Sequence, residues 1–323
     1  MSRYYIGVDT SNYTTSCALY DAAERRVVSN IKRLLDVPEG GRGLRQSDAM
    51  FMHTKRLPEI IASALDALVP DELCAVGVSS RPRDVEGSYM PCFLAGVSAA
   101  SAMAGAAKKP LYRFSHQAGH IAAAVYSSGS PDLYSREFIA FHVSGGTTEL
   151  LLVHPKPDGE LPFVIEKLGG TLDISAGQAV DRVGVKLGLG FPCGPRLEEL
   201  AKSNAERFTP ARLSVRGCDC NLSGAENLAG RMIESGASEE CVAAYLLDFI
   251  GRTLIELAEN ALIGREDLPV LFAGGVMSNS IIKRMIVSRG YDARFAEPSL
   301  SSDNAVGAAL LAAMREDGEN GVG

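Results

Sequence analysis

Residues 138–153 read FIAFHVSGGTTELLLV. An apolar run, 138–143, meets the small polar turn Ser144-Gly145-Gly146-Thr147, and a second apolar run, 150–153, follows. Such runs on either side of a Gly-Gly turn predict a β-hairpin. Glycine admits positive φ and lets a backbone come close to its neighbour, so the pair suits either a plain turn or a ligand. Successive N–H groups in such a turn can form a nest for an anion, typically phosphate. On this stretch alone the plain turn is the simpler reading.

The same pattern stands near the N-terminus. Residues 4–8 are a short β-type run, 9–15 a small polar turn and 17–20 a second run. With residues 3–19 set beneath 136–152, a constant offset of 133, Arg3/Arg136, Ile6/Ile139, Ser11/Ser144, Thr14/Thr147, Thr15/Thr148 and Leu19/Leu152 coincide. The apolar pattern and the Ser-x-x-Thr-Thr turn coincide as well. This reads as an internal duplication, each half opening on the same hairpin.

Between the hairpins the pattern predicts a strand over 25–35, a Gly-rich loop over 38–43 and a helix over 53–68. A buried strand over 75–79, a charged loop over 81–87, a small-residue helix over 92–107 and a strand over 111–114 follow. After the second hairpin come a strand over 163–167, a helix over 175–187 and the rigid turn Phe191-Pro192-Cys193-Gly194-Pro195. Residues 209–221 read as irregular, and 238–262 as a long amphipathic helix. A strand over 270–276 ends in Gly274-Gly275, and helices over 281–288 and 305–314 follow. Alternating strands and helices predict an α/β fold.

At 323 residues the chain has room for two domains. A formal charge of −7 argues against a general basic surface for nucleic acid, so a local patch or a partner protein must supply any such grip. The seven cysteines follow no regular framework. With no charged-then-apolar leader and no apolar run of about 18 residues, the expectation is a reduced, soluble, cytoplasmic protein without membrane contact.

Several short motifs carry chemistry. His116 and His120 stand four apart on a predicted helix capped by Ser115, so both imidazoles can meet one metal ion. A zincin needs Glu directly after its first His; Gln117 stands there, which disfavours a metalloprotease. The alternative is a helix with two satisfied imidazoles. Gly177 within a predicted helix costs up to about 1 kcal/mol against Ala, which points to close approach of a ligand or backbone. Gly274-Gly275 before a helix start offers a nucleotide free N–H groups and a helix dipole; a tight unliganded turn is the alternative. Cys218-Asp219-Cys220 has no second pair nearby and reads as an unliganded loop. Asp303 at a helix start reads by itself as a cap.

Together these pieces are more specific. Duplicated hairpins, a Ser-Gly-Gly turn and a late strand–Gly-Gly–helix resemble the actin/sugar-kinase/Hsp70 (ASKHA) class of nucleotide-binding fold. Within that class the order HQAGH, VSGGTTEL, DxxxGxxxDR, FPCGP, FAGGVMSN and SSDNA resembles the TsaD family, the tRNA N6-adenosine threonylcarbamoyltransferases once described as glycoprotein endopeptidases. The resemblance implies a duplicated actin-like α/β fold with two lobes around a central cleft. Residues 1–114 would form the first lobe, 115–300 the second with a helical insertion, and 301–323 a helix packing back on the first. It implies His116, His120 and Asp303 as ligands of Fe2+ or Zn2+. Ser144, Gly145 and Gly146 would face the phosphate end of an adenine nucleotide, whether ATP, ADP or threonylcarbamoyl-adenylate. Asp181, Gly194 and Asn279 would contact its ribose and base. The implied reaction moves threonylcarbamoyl, or a related carbamoyl group, from the adenylate to an acceptor, adenosine 37 of tRNA in the family, with tRNA held through a helper complex and the chain in a homo- or heterodimer.

Departures are equally legible. An acidic pair of the family becomes Tyr13-Thr14, the Glu of H-x-E-G-H becomes Ala118, the His after Ser-Gly-Gly becomes Thr147 and a further Glu becomes Gln178. A Gly-rich loop of the family is replaced by Arg81-Pro82-Arg83-Asp84-Val85-Glu86-Gly87-Ser88-Tyr89. The pattern is that of a divergent paralogue. Its alternative role is a non-catalytic nucleotide- and metal-binding subunit.

Overall fold

The computed structural model describes residues 1–11, 13–36, 44–156, 163–300 and 305–318. The Gly-rich loop expected over 38–43 and the metal ligand expected at Asp303 lie outside the described residues. In chain order the first elements are β1 (Tyr4–Ser11), β2 (Thr14–Asp21), β3 (Arg26–Leu34), α1 (Gln46–Ala64), β4 (Leu73–Arg81), α2 (Phe93–Ala107), β5 (Leu111–Ser115) and α3 (His116–Ser127). Then come β6 (Phe138–Val143), β7 (Thr148–Pro155), β8 (Phe163–Thr171), α4 (Ala176–Lys186), α5 (Gly194–Ser203), β9 (Val215–Arg216) and β10 (Asp219–Cys220). The last are α6 (Ser223–Glu234), α7 (Glu239–Leu262), β11 (Val270–Ala273), α8 (Ser280–Val287), β12 (Ala293–Phe295) and α9 (Val306–Asp317).

One sheet runs β3-β2-β1-β4-β5. The other runs β12-β11-β6-β7-β8-β10-β9, so from β8 to β12 it repeats the first order, third-second-first-fourth-fifth strand. Directions repeat too: β1/β2 and β6/β7 are antiparallel, while β1/β4 and β6/β11 are parallel. Register completes the match. Ile6 faces Leu19 across the first hairpin, and Ile139 faces Leu152 across the second. The duplication read from sequence is thus a duplication of cross-strand pairs.

In the first unit β1 and β2 are buried throughout. Side chains alternate between faces of a strand. Ile6, Val8, Val76 and Val78 accordingly meet Leu57, Ile60 and Ala64 of α1 and Ala95, Ala100 and Ala104 of α2. The intervening Gly7 and Gly77 point the other way, where α9 lies. A Cβ on Gly7 would stand 2.0 Å from the Ala305 carbonyl oxygen, and one on Gly77 2.1 Å from that of Ala308. Helix α3 meets α9 with similar intimacy, because a Cβ on Gly307 would stand 1.9 Å from the Gly119 oxygen. The chain divides into two compact units, and the first, Met1–Arg136 with His154–Ile165 and the segment of α9, holds both α3 and α9.

The second unit is built on β6, β7 and β11 with α4 to α8. Phe141, Phe272 and Phe295 stack in sequence, with centroids 4.8 Å and 5.3 Å apart. Helix α7 is buried around most of its girth. Helices α5 and α6 were not legible from periodicity. The first begins at Gly194-Pro195, residues that read as a turn yet suit a first helical turn, where proline loses no hydrogen bond. Helix α1 starts at Gln46 rather than 53, because Met50, Phe51 and Met52 stand in a row and blur the helical period. No helix among the described residues is long and apolar enough to cross a membrane.

His53 is fully buried on α1, its Nδ1 2.8 Å from Thr15 Oγ1, and its Nε2 has no partner among the described residues. Burial pushes this imidazole down from 6.5 to about 4. Below pH 6.5 the unfolded chain takes a proton that the folded chain refuses, so His53 withdraws stability as pH falls from 6.5 towards 4. Urea unfolding at pH 7.5 and 5 should show a His53 contribution of about 2 kcal/mol lost at the lower pH, and His53→Gln should flatten that slope. Gly307→Ala should cost at least about 2 kcal/mol, since a backbone carbonyl cannot step aside. Gly105→Ala on exposed α2, where a Cβ meets nothing within 4 Å, should instead gain up to about 1 kcal/mol in the same denaturation experiment.

Candidate functional site

Helix α3 begins at His116 because Ser115 caps it, its Oγ accepting from Ala118 N at 3.1 Å. The same hydroxyl donates to Asp84 Oδ2 at 2.6 Å, and Asp84 Oδ1 accepts from Arg81 Nε at 2.9 Å. Gln117 N donates to Pro82 O at 3.0 Å. The segment that departs from the family's Gly-rich loop is therefore knotted to the start of the His-bearing helix. One turn apart, His116 and His120 bring their Nε2 atoms to 2.9 Å, with rings edge-on at 4.3 Å. The other nitrogen of His116, Nδ1, lies 2.7 Å from Asp9 Oδ2 at the end of β1. Asp9 is 1 % exposed, and its Oδ1 accepts from Ser11 N at 2.8 Å.

A carboxylate accepts only, so Nδ1 of His116 carries a proton; in the neutral ring Nε2 then presents a lone pair, which accepts from His120 Nε2 at 2.9 Å. Two converging imidazole nitrogens, one backed by a carboxylate, form a donor set that fits a divalent transition metal. Among the described residues no group of three or more His, Cys, Asp or Glu side chains is arranged to hold a metal. Asp303, expected as a third ligand, lies outside the described residues.

In the second unit the Ser-Gly-Gly turn closes the β6–β7 hairpin, with Ser144 N donating to Thr147 O at 2.8 Å and Thr147 N to Ser144 Oγ at 3.2 Å. Helix α4 is stapled to this turn. Gly177 N donates to Ser144 O, Ser175 Oγ donates to Gly145 O at 2.7 Å, and Ala176 N donates to Thr148 Oγ1 at 2.9 Å. A Cβ on Gly177 would stand 2.6 Å from Gly145 Cα, so backbone, not ligand, demands that glycine. Among the described residues no acceptor meets the N–H groups of Gly145 and Gly146.

Beside the turn lies a pocket of about 450 Å³. Gly145, Asp181, Gly194, Gly275 and Asn279 line it, together with Gly177, Val180, Pro192, Glu198 and Val276. The structure thus brings these five sequence-expected residues to one place. Ser144 sits behind the turn, and Gly146 lies beyond the lining. Gly274 is explained by packing: its φ is +105°, and a Cβ would stand 2.2 Å from the Val143 oxygen. The start of α8, expected to offer free N–H groups, is instead closed. Asn279 Oδ1 accepts from Ile281 N and Ile282 N at 3.0 Å each, and Glu198 Oε1 accepts from Ser280 N at 3.1 Å.

Two carboxylates reach this pocket. Asp181 Oδ1 accepts from Cys193 N at 3.0 Å, which sets the chain entering α5. Glu198 Oε1 also accepts from Ser280 Oγ and pairs with Lys202 at 2.6 Å, and these partners hold its carboxyl below the usual range despite desolvation that raises it. Glu198 and Asp9 were missed from sequence. Glu198 lies on α5, of which only Gly194-Pro195 was assigned from sequence, as the end of a turn. Asp9 carried one available signal, a charged residue inside an otherwise apolar and polar-uncharged hairpin.

Comparison with known proteins places this geometry. A relative from Thermus thermophilus, named tRNA N6-adenosine threonylcarbamoyltransferase, is 32% identical over 321 residues, 97% of this chain and 93% of that one. A relative from Thermoplasma volcanium, named a probable bifunctional tRNA threonylcarbamoyladenosine biosynthesis protein, is 28% identical over 88% of this chain, which spans about 50% of its length. Among solved structures, T. kodakarensis HypF superposes with a TM-score of 0.59 at 16% identity, over 98% of this chain and 48% of that one. That likeness shows the fold, actin-like and of the ASKHA type. The model of one family runs through both hairpins, the His pair and the late Gly-Gly strand, matching residues 6–310, and the chain accordingly belongs to the TsaD family, described as tRNA N6-adenosine threonylcarbamoyltransferase.

Proposed function

We propose that this chain is a TsaD-type transferase that binds threonylcarbamoyl-adenylate and transfers the threonylcarbamoyl group to the N6 amine of adenosine 37 in tRNA. One observation carries the nucleotide part. Gly145 and Gly275 line the pocket although, among the described residues, a Cβ on either would meet no atom within 4 Å, and one on Gly194 would only graze Val180 at 3.9 Å. None of the three has positive φ. The described fold does not require glycine there, whereas a ligand pressed against the backbone would. The N–H groups of Gly145 and Gly146 suit the phosphate, which Ser144 supports from behind. Asp181 and Glu198 keep Oδ2 and Oε2 for the ribose hydroxyls, and Asn279, its Oδ1 spent on capping, keeps Nδ2 for the base. Gly274 serves by holding Gly275 in place.

His116 and His120, with Asp303, would hold Fe2+ or Zn2+. When bound, that cation supplies Lewis-acid charge to an oxygen of the reacting group. The amine attacks the carbamoyl carbon to form a C–N bond, AMP leaves with the electron pair of the broken C–O bond, and the nitrogen gives up one proton to water. With a formal charge of −7, tRNA is best held through a helper complex, as a heterodimer in the cytoplasm. A second reading, a non-catalytic nucleotide- and metal-binding subunit, is favoured by the Arg81–Asp84–Ser115 knot that replaces a Gly-rich wall.

Nucleoside mass spectrometry after incubation with threonylcarbamoyl-adenylate, unmodified tRNA and partner proteins decides between them: modified adenosine supports the transferase, and nucleotide binding without turnover supports the subunit. Gly275→Val should lower adenine-nucleotide affinity at least about tenfold by calorimetry, roughly 1.4 kcal/mol, with an unchanged melting temperature. Gly274→Val should instead unfold the protein.

A further inference from the structure

We infer that Asp9 is a positioning residue for the cation site of α3: its carboxylate fixes the proton of His116 on Nδ1 and so aims the Nε2 lone pair at the point where His120 Nε2 arrives. The inference rests on the reading that His116 and His120 hold a cation, and it adds a residue that neither the sequence motif nor the His pair itself supplies.

An imidazole offers two nitrogens to a metal and in its neutral form keeps one proton on either. The choice is set by what the second nitrogen touches. Here Asp9 Oδ2 stands 2.7 Å from Nδ1, on the ring edge away from the 2.9 Å meeting of the two Nε2 atoms. Asp9 therefore backs the ligand and does not replace it. The carboxylate is itself fixed. Asp9 sits in β1 opposite Ser16 of β2, is 1 % exposed, and takes Ser11 N at 2.8 Å on its other oxygen. Helix α3 is fixed from its own end by the Ser115–Asp84 hydrogen bond of 2.6 Å. Strand and helix are thus independently anchored, and the Asp9–His116 bond sets the ring's rotation between them.

Zinc titration of the metal-free chain tests this. Asp9→Asn should weaken Zn2+ binding about 10- to 100-fold, with the melting temperature of the metal-free protein unchanged. His116→Ala should abolish binding. Wild-type affinity in Asp9→Asn overturns the inference and leaves the cation reading intact; equal binding by wild type and His116→Ala overturns both. If Asp9→Asn does not fold, the wild-type chain still decides. Its five histidines give a tractable imidazole 15N spectrum. A proton on Nδ1 and a lone pair on Nε2 of His116 support the inference, and the opposite tautomer overturns it.

Discussion

The closeness of α9 to the first sheet is the constraint on which the rest of that unit depends. A methyl group on Gly7 or Gly77 would stand about 2 Å from a helix carbonyl, so the helix rests on bare strand backbone. Helix α3 then crosses the same helix through Gly119 and Gly307. Gly307 is the glycine this crossing demands, and the backbone it meets is that of Gly119, which lies between the two histidines. Small side chains here do the work that large apolar ones do elsewhere, trading buried methylenes for backbone proximity. The Ala-rich composition of α9 and the HQAGH motif are one packing solution.

The two hairpins show how a duplicated element diverges in use. Their strands keep the same partners, Ile6 with Leu19 and Ile139 with Leu152. In the first copy the polar content points inward: Asp9, Thr10, Ser11 and Thr15 are buried, and Asp9 reaches His116. In the second copy the turn opens outward, and Gly145 and Gly146 are exposed with no side chain to cover their N–H groups. One scaffold thus presents a carboxylate in one unit and backbone donors in the other. The cation chemistry proposed for α3 draws on a strand of the first hairpin, and the nucleotide chemistry proposed for the pocket on the turn of the second.

Much of this was legible because it is periodic or local. The paired hairpins, the Ser115 cap and the long α7 all announce themselves within a few residues. Gly177 was legible as a demand for closeness, though only the structure identifies the Gly145 backbone as its cause. Helix α5 was not, since Gly194-Pro195 is compatible with either a turn or a helix start, and local chemistry does not choose. The closed start of α8 was hidden for a different reason. Its cap comes from Asn279 next door, but its first N–H is taken by Glu198, 82 residues away in sequence. The Asp9–His116 bond spans 107 residues. Pairings of that separation belong to topology, and no window along the chain contains them.

The departures from the family pattern take on physical sense in their settings. Gln178 closes a capping box, its Oε1 accepting from Ser175 N at 3.3 Å, a task that a Glu would perform equally well. Thr147 closes its hairpin through backbone groups alone, so its side chain is unconstrained by the turn. Ala118 is 1 % exposed, and a carboxylate there would need a buried partner. Alanine there keeps a charge out of the interior of α3. The substitutions thus fall where the fold either tolerates a neutral homologue or prefers one. None of these substitutions falls on the residues that the proposed chemistry uses, Asp9, His116, His120, Asp181 and Glu198.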